Sequence, residues 1–298
     1  KNLTTRFLIK SGIGTSKGQV HAVEGIDFSL QQGETFGLVG ESGCGKSTTG
    51  RSILRLVEPH RGKILFEGQD LTTLNRNELR PFRRQMQMIF QDPFASLNPR
   101  MMVGETIAEP MVVHGIIDKS EASDKSIEIL KKVGLTSDYA TRYPHELSGG
   151  QRQRIGIARA LALEPKLIIA DEAVSALDVS IQAQVVNLMM ELQEEFALSY
   201  LFISHDMAVI ERVCHRVAVM YLGEIVELGT RGQVFENPQH PYTKKLMKAV
   251  PVADPNLRKK ELNLMTDEIP SLVKPIGYEP EKIDLIRVEN GHFIKPFN

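Results

Sequence analysis

The feature that most restricts the fold of this chain is a glycine-rich loop of the sequence GESGCGKS at residues 40–47, which fits the phosphate-binding loop pattern. The apolar run of residues 35–39 precedes this loop, and a predicted helix over residues 46–56 follows it. In a strand–loop–helix unit the glycines let successive backbone N–H groups face an anion, and the helix start adds its positive dipole end. The loop therefore predicts a nucleotide phosphate site.

Two side chains of the loop carry the expected chemistry. Lys46 is expected to reach the β- and γ-phosphates, and the Ser47 hydroxyl is expected to bind Mg²⁺. Cys44 is either a small side chain that the loop tolerates or a thiol of lowered pKa, which would react before Cys214. The residues expected to bind nucleotide here are Gly40, Glu41, Ser42, Gly43, Cys44, Gly45, Lys46, Ser47 and Thr48.

A pair of acids follows a second apolar strand, the sequence LIIA at residues 167–170. Burying a charge is costly, so acids at the end of a core strand normally have partners. Asp171 is expected to hold Mg²⁺, directly or through water, and Glu172 to orient and deprotonate the attacking water. The alternative is a solvated strand end, which the upstream phosphate loop disfavours.

Strand-like and helical runs alternate along the chain, which indicates an α/β fold with a largely parallel sheet. A change to helical periodicity predicts a helical insertion at about residues 92–163. Prolines recur beyond residue 229 and predict an appendage with little regular structure. We therefore divide the chain into a core, residues 1–235, and an extension, residues 236–298. The predicted strands are 20–30, 35–39, 63–66, 85–90, 167–170, 200–203 and 216–220, and the predicted helices include 126–133, 155–163, 181–196 and 207–213.

Composition excludes several classes of protein. The net charge of the 298 residues is −1, so no basic field recruits nucleic acid. Two cysteines cannot form a disulfide framework, and no run approaches the roughly 20 apolar residues that cross a bilayer. We expect a soluble intracellular protein. Because the chain opens on Lys rather than Met, some N-terminal sequence is expected to be missing.

A second glycine pair makes the pattern more specific. The sequence LSGGQ at residues 147–151 is followed by RQR and a helical run. With this signature, residues 7–229 resemble the nucleotide-binding subunit of an ABC transporter, with a P-loop ATPase core, an antiparallel β subdomain and a helical signature subdomain. The resemblance implies that two subunits meet head to tail, each ATP lying between one phosphate loop and the other signature. The residues assigned to the signature are Leu147, Ser148, Gly149, Gly150 and Gln151.

The same resemblance assigns roles to residues outside the loops. Gln91 corresponds to the Q-loop glutamine that senses Mg²⁺, Asp178 belongs to the D-loop, and His205 is the switch histidine that contacts the γ-phosphate. An aromatic ring upstream of the phosphate loop stacks on adenine in this family, and Phe7 is the candidate by position. The alternative for Phe7 is a core anchor of the first strand.

Three stretches narrow the type of transporter. QDPFASLNP at 91–99, DVSIQAQ at 178–184 and HPYT at 240–243 resemble the ATPase subunits of oligopeptide and dipeptide importers, nearer the F-type of the two paralogues. Many relatives carry a metal-binding cysteine cluster in the C-terminal extension. This extension has no cysteine, so no iron–sulfur or zinc site is expected, and His292 is interpreted as a packing or surface residue.

The resemblance also implies partners and a location. ATP and Mg²⁺ are the expected cofactors. The partners are a paralogous ABC ATPase subunit in a heterodimer, two transmembrane permease subunits that contact residues 91–110 and the helical insertion, and an extracytoplasmic substrate-binding protein. The chain is then peripheral, on the cytoplasmic face of the bacterial inner membrane. The alternatives are the ATPase of a nickel or other small-solute importer, an exporter subunit, and a non-transport ABC ATPase.

Overall fold

A computed structural model describes residues 1–10, 16–248 and 271–297. The strands are β1 (Leu3–Lys10), β2 (Ser16–Ile26), β3 (Thr35–Val39), β4 (Leu65–Phe66), β5 (Gln69–Asp70), β6 (Met86–Ile89), β7 (Leu167–Asp171), β8 (Ser199–Ser204), β9 (Arg216–Tyr221), β10 (Glu224–Thr230), β11 (Val273–Lys274), β12 (Ile286–Glu289) and β13 (His292–Ile294). The α-helices are α1 (Lys46–Ile53), α2 (Arg76–Gln85), α3 (Pro93–Ser96), α4 (Val103–Val113), α5 (Ala122–Lys132), α6 (Gly149–Leu161), α7 (Val179–Phe196), α8 (Met207–Val213), α9 (Arg231–Glu236) and α10 (Pro241–Lys248).

The central sheet has the strand order β12-β13-β10-β9-β3-β8-β7-β6. Its β6, β7, β8, β3 and β9 strands run parallel, whereas β10, β13 and β12 are added in antiparallel pairs. Val39 pairs with Ser204 and Asp171 pairs with Ile203, so three strands end at the same level. Their following loops therefore meet at one edge of the sheet, where open α/β sheets bind ligands.

The burial of their side chains explains why β3, β7 and β8 lie in the centre of the sheet. Every residue of β3 and of β8 is buried, and β7 is buried over its last four residues. Strands covered on both faces are continuous apolar runs in sequence, and these three strands follow that pattern. The predicted strand boundaries agree within a few residues, except that the strand predicted over residues 20–30 is β2 at Ser16–Ile26; the helix predicted over residues 155–163 already begins at Gly149.

Two further layers flank the sheet. The strands β1, β2 and β11 form an antiparallel sheet, and β4 pairs with β5. Helices α3 to α6 are inserted between β6 and β7, with Val103, Ile107, Leu130 and Ile155 in their core. The α/β class, the antiparallel sheet and the helical insertion predicted from the sequence are all present; the domain division at residue 235 stays a prediction.

The described part of the extension is irregular outside α10 and three short strands, none of which the sequence predicted, and it is attached to both sheets. Its strand β13 pairs with β10 of the central sheet, and β11 pairs with β2 of the three-stranded sheet. Sequence reasoning missed these strands because they are two to four residues long. None of the helices in residues 1–10, 16–248 and 271–297 combines the length and apolar character needed to cross a bilayer.

Candidate nucleotide-binding site

The glycine-rich loop joins β3 to α1, and two of its glycines are enforced by close backbone neighbours. At Gly40, with φ 149°, an added Cβ would lie 2.2 Å from the carbonyl oxygen of Met220. At Gly45, with φ 110°, it would lie 2.0 Å from the carbonyl oxygen of Ala22. No side chain fits at either position, because backbone atoms cannot give way as a flexible side chain can. The loop is thus wedged between β2 and the end of β9.

Lys46 lies across this loop. Its side chain is buried, and its Nζ donates hydrogen bonds to the carbonyl oxygens of Gly40 and Glu41, each at 2.8 Å. The ammonium group is therefore held over the loop at the start of α1, where the helix dipole also favours an anion. This arrangement brings the predicted lysine and the predicted backbone donors to one place.

Ser47 and Asp171 meet although 124 residues separate them. The Ser47 hydroxyl donates to Asp171 Oδ1 at 2.6 Å, and the carboxylate is fully buried. Asp171 Oδ2 accepts no hydrogen bond from the described part of the chain, and the Arg51 guanidinium lies 3.8 Å from it. Burial raises the pKa of Asp171, while the Ser47 hydrogen bond and Arg51 act in the opposite direction.

A buried carboxylate oxygen without a hydrogen bond among the described residues, with the Arg51 guanidinium 3.8 Å away, fits a cation better than it fits an isolated acid. Mg²⁺ is bound in proteins by one or two carboxylates together with waters and substrate phosphates. Ser47 and Asp171 supply such oxygen ligands directly beside the phosphate loop. The residues present therefore fit the Mg²⁺ site that the sequence predicts.

Glu172 is the centre of a second cluster. Gln91 Nε2 donates to Glu172 Oε2 at 2.8 Å, and His205 Nδ1 lies 3.3 Å from Glu172 Oε1. Glu172 has a left-handed backbone, φ 49°, and its N–H donates to the carbonyl oxygen of Ile203 at 2.9 Å. Such conformations cost about 1–3 kcal/mol and concentrate at functional sites. The structure thus brings all three predicted catalytic residues together.

The signature lies at the start of α6. Ser148 caps this helix, since its Oγ accepts the Gln151 N–H at 3.3 Å and its own N–H donates to Gln151 Oε1 at 2.9 Å. An added Cβ at Gly150 would lie 2.4 Å from Ile181 Cγ2. The signature therefore rests on the start of α7. Ser148 and Gly149 are exposed, whereas the Leu147 side chain is buried, so only its backbone can face a ligand.

Asp178 and Thr48 occupy helix starts. Asp178 is exposed at the N-cap position of α7, and its side chain makes no capping hydrogen bond. Thr48 lies in the first turn of α1, directly after Ser47. Asp178 is therefore exposed, as the D-loop role predicted for it requires, and Thr48 adjoins the phosphate loop, as its predicted role in nucleotide binding requires.

Phe7 lies in β1 opposite Val20, with 41% of its surface exposed. That exposure disfavours the alternative of a core anchor and leaves the ring free to stack on a base. Val23, in contrast, is fully buried in one core cluster with Cys44. Strand β2 holds both Val20, opposite Phe7, and Ala22, whose carbonyl oxygen abuts Gly45, so it lies between the Phe7 ring and the phosphate loop.

The lowered thiol pKa expected for Cys44 is wrong, whereas its reactivity relative to Cys214 stays a prediction. Only 5% of Cys44 is exposed, and burial raises the pKa of its thiol, which outweighs the opposing effect of Lys46. The loop turns this side chain into the core, near Met220, instead of toward solvent. Cys214 is buried as predicted, and burial raises its pKa as well.

Sequence reasoning also missed partners of the site. Arg51 near Asp171 lies on α1, one helical turn after Ser47, and helix spacing could have indicated it. Tyr242 accepts the Glu41 N–H on its Oη at 3.1 Å across 201 residues of sequence, for which no local signal exists. His292, interpreted as a packing or surface residue, is fully buried against Glu227.

The strand–loop–helix unit, its buried Ser47–Asp171 pair and the adjoining Glu172 cluster define a phosphate-loop nucleotide-binding protein. The family model described as "ABC transporter" matches residues 23–175. The chain therefore belongs to the ABC transporter family. A second model, "Oligopeptide/dipeptide transporter, C-terminal region", matches residues 226–277, in agreement with the resemblance to peptide importers.

Three similar curated proteins are each named "Glutathione import ATP-binding protein GsiA". The protein from Pectobacterium atrosepticum is 60% identical over 294 residues, which is 98% of this chain and 47% of that protein. Those from Salmonella typhimurium and Escherichia coli K12 are 57% and 56% identical over 295 residues, again 47% of each protein. The chain thus spans about half the length of the relatives it matches.

Solved structures agree on the fold. The ATP-binding cassette MJ0796, in a dimeric post-hydrolysis state bound to ADP and Pi, is 29% identical with a TM-score of 0.68, covering 78% of this chain and 97% of that chain. The cbiO1 protein from Clostridium perfringens, part of the ABC transporter complex cbiONQ, is 26% identical with a TM-score of 0.67, covering 80% and 89%. The fold is that of an ABC ATPase cassette.

Proposed function

We propose that this chain is the ATP-hydrolysing subunit of a membrane ABC importer for short peptides. The observation that carries the proposal is the convergence of Ser47 with Asp171 and of Gln91 and His205 with Glu172 at one sheet edge. The match of the C-terminal region to a peptide-transporter family supports the peptide type. The F-type assignment within that family stays part of the proposal.

In the proposed reaction the chain binds the phosphates and activates water. The loop amides and Lys46 bind the β- and γ-phosphates, and Ser47 and Asp171 hold Mg²⁺. When bound, Mg²⁺ would neutralise charge on the phosphate oxygens. Glu172 accepts a proton from water as the water oxygen attacks the γ-phosphorus, and the bond to the ADP oxygen breaks. Gln91 and His205 orient the Glu172 carboxylate and the γ-phosphate.

A second subunit completes the nucleotide site in this proposal. Ser148 and Gly149 are exposed at a helix start, which offers N–H donors to an anion of another molecule. MJ0796 is described as dimeric with ADP and Pi bound. We propose that this chain pairs head to tail with a paralogous ABC ATPase subunit, so that Asp178 and the signature face the partner's phosphate loop. Phe7 stacks on the adenine.

The remaining partners follow from the importer assignment. Two permease subunits would contact residues 91–110 and the helical insertion, and an extracytoplasmic binding protein would deliver cargo. The chain would then sit on the cytoplasmic face of the bacterial inner membrane. The relatives are named for glutathione import, and glutathione is itself a small peptide, so we propose it as the first cargo to test.

The test is uptake by proteoliposomes that contain both ATPase subunits, both permeases and the binding protein. We expect ATP-dependent accumulation of labelled glutathione or dipeptide, which Lys46→Ala in this chain should abolish because the phosphates lose their cation. Accumulation of Ni²⁺ but not of peptide would establish the small-solute alternative. An ATPase rate that is the same with and without the permeases and the binding protein would contradict the importer assignment. Activity with this ATPase chain alone would replace the heterodimer by a homodimer.

A further inference from the structure

The phosphate loop has a contact that its role in ATP binding does not explain. The backbone N–H of Glu41, the second residue of the loop, donates to the Tyr242 hydroxyl at 3.1 Å. Tyr242 is buried, and its ring packs on Tyr221 with centroids 4.2 Å apart. The hydroxyl therefore reaches the loop from α10, which lies outside the predicted core.

Tyr242 is itself held by an acid of the central sheet. Its N–H donates to His240 Nδ1 at 3.2 Å, and the His240 N–H donates to Glu227 Oε2 at 2.9 Å. Glu227 Oε1 accepts the N–H of Gln239 at 2.8 Å. One carboxylate of β10 thus binds two successive amides just before α10 and fixes where that helix begins.

The C-terminal strand completes the chain of contacts. His292 Nε2 lies 2.7 Å from Glu227 Oε1, and both side chains are fully buried. His292 belongs to β13, which pairs with β10 through Glu227 to Ile294 and Leu228 to Phe293. A buried carboxylate without a partner is costly, so His292 stabilises Glu227 where it binds the segment before α10.

We propose that Tyr242 is a positioning residue for ATP binding, which fixes the start of the phosphate loop, and that β13 acts on the loop through the Glu227–His292 pair. The inference rests on the proposed function in taking the loop as the ATP site. In this proposal Tyr242, buried against the Glu41 amide, binds neither the phosphates nor the attacking water. Its loss should therefore weaken nucleotide binding and leave the chemical step intact.

Tyr242→Phe and Tyr221→Phe are a matched pair of variants. Each removes one hydroxyl and keeps the packed pair of rings, but only the Tyr242 hydroxyl binds the loop. Tyr242→Phe should raise the KM and Kd for MgATP about fivefold, equivalent to about 1 kcal/mol, the net value of a neutral hydrogen bond. Its kcat should stay within about twofold of wild type, since it makes no transition-state contact. Tyr221→Phe should change neither constant.

Amide hydrogen exchange measured without nucleotide reports the contact separately from ATP binding. In the full chain, Tyr242→Phe should speed exchange at the Glu41 amide, whereas Tyr221→Phe should not. Equal exchange and equal affinity in the two variants would overturn the proposal. So would faster exchange throughout the cassette with a lowered Tm, because that indicates general destabilisation. If Tyr242→Phe speeds exchange at the Glu41 amide but the wild-type protein binds no MgATP, the contact is confirmed and the proposed function is overturned.

Non-additivity tests the link to β13. His292→Ala should raise the Kd for MgATP in the wild-type background but add little to Tyr242→Phe, because both act through the same contact. His292→Gln keeps a donor for Glu227 and should lie close to wild type. Fully additive effects of the two substitutions, or a His292→Gln variant as weak as His292→Ala, would overturn the link.

Discussion

Asp171 places a carboxylate where water does not reach it, with one oxygen on Ser47 and the other without a hydrogen bond among the described residues. In an acid with only a structural role, a buried oxygen without a hydrogen bond would lower the stability of the fold. Beside a phosphate loop it is a ligand set that a cation completes. The raised pKa of Asp171, caused by burial, reports the cost that the ionised form bears without that cation.

Asp171→Asn should therefore stabilise the metal-free protein at pH 7. Because the folded pKa lies above the ordinary value of 3.8, ionisation lowers the free energy of unfolding as pH rises through the window between the two. The full cost is present above the raised pKa and absent below the ordinary one. Thermal melts in EDTA should give the variant a higher Tm at pH 7 and no advantage at low pH.

Mg²⁺ with nucleotide should reverse this order. It should raise the Tm of wild type, by mass action on the folded state, and leave Asp171→Asn nearly unchanged. Asp124→Asn, at an exposed position of α5, is the control and should follow wild type throughout. Equal stabilisation of Asp171→Asn and wild type by Mg²⁺ and nucleotide would contradict the assignment of the cation site.

At the scale of elements, the contact between α6 and α7 holds the signature in place. An added Cβ at Gly150 would lie 2.4 Å from Ile181 Cγ2, whereas one at Gly149 would lie 3.6 Å from Leu177 Cδ2, an ordinary contact. Ile181 is β-branched and restricted to few rotamers in a helix, so the helices must separate to admit the extra atom.

Gly150→Ala should consequently lower the free energy of unfolding by about 1–3 kcal/mol, the usual cost of overpacking. Gly149→Ala should be neutral or slightly stabilising, because alanine favours a helix over glycine. Denaturant titration of both variants measures the difference. A Gly150→Ala variant as stable as Gly149→Ala would mean that α6 does not rest on α7 as described.

The elements that sequence reasoning predicted well are those with a strong local pattern. The strand β3, the helix α8 and the phosphate loop carry their own signals, in apolar runs, helical spacing and glycine positions. The strands β11 to β13 carry none, since they are short and all four residues of β12 are exposed. Alternation cannot be read where no face is buried.

The candidate site divides in the same way. The loop chemistry and the Asp171–Glu172 pair could be predicted from local residues, whereas Gln91 and His205 came only from the family resemblance. Cys44 is buried in a core cluster that includes Met220, and the Tyr242 contact depends on how α10 packs, so the neighbouring sequence predicts neither. Long-range packing decides these cases.

At the scale of the whole molecule, one exposed surface and one attached extension stand out. Val179 is 83% exposed at the start of α7, next to Asp178 and the exposed signature residues. An exposed large apolar residue at the start of α7, which has no side-chain cap, suits a nucleotide-dependent contact with a second subunit. The extension also contacts β1, the strand that carries Phe7, through an ion pair between Glu279 and Arg6 at 2.9 Å.

The central claim is that this chain binds MgATP in the described site and hydrolyses it with Glu172. The most direct measurement is the chemical identity of the nucleotide retained by the assembled transporter, with the partner ATPase site disabled, after incubation with labelled MgATP. Glu172→Gln keeps the side-chain shape but removes the base. Glu195→Gln, on the exposed face of α7, is the matched control.

Wild type and Glu195→Gln should release labelled phosphate, whereas Glu172→Gln should retain intact ATP and turn over at least about 10²-fold more slowly, the usual size of general-base catalysis. Retention of intact ATP by the variant would support binding and catalysis together. Hydrolysis by Glu172→Gln within about threefold of wild type, well short of a general-base effect, would contradict the account.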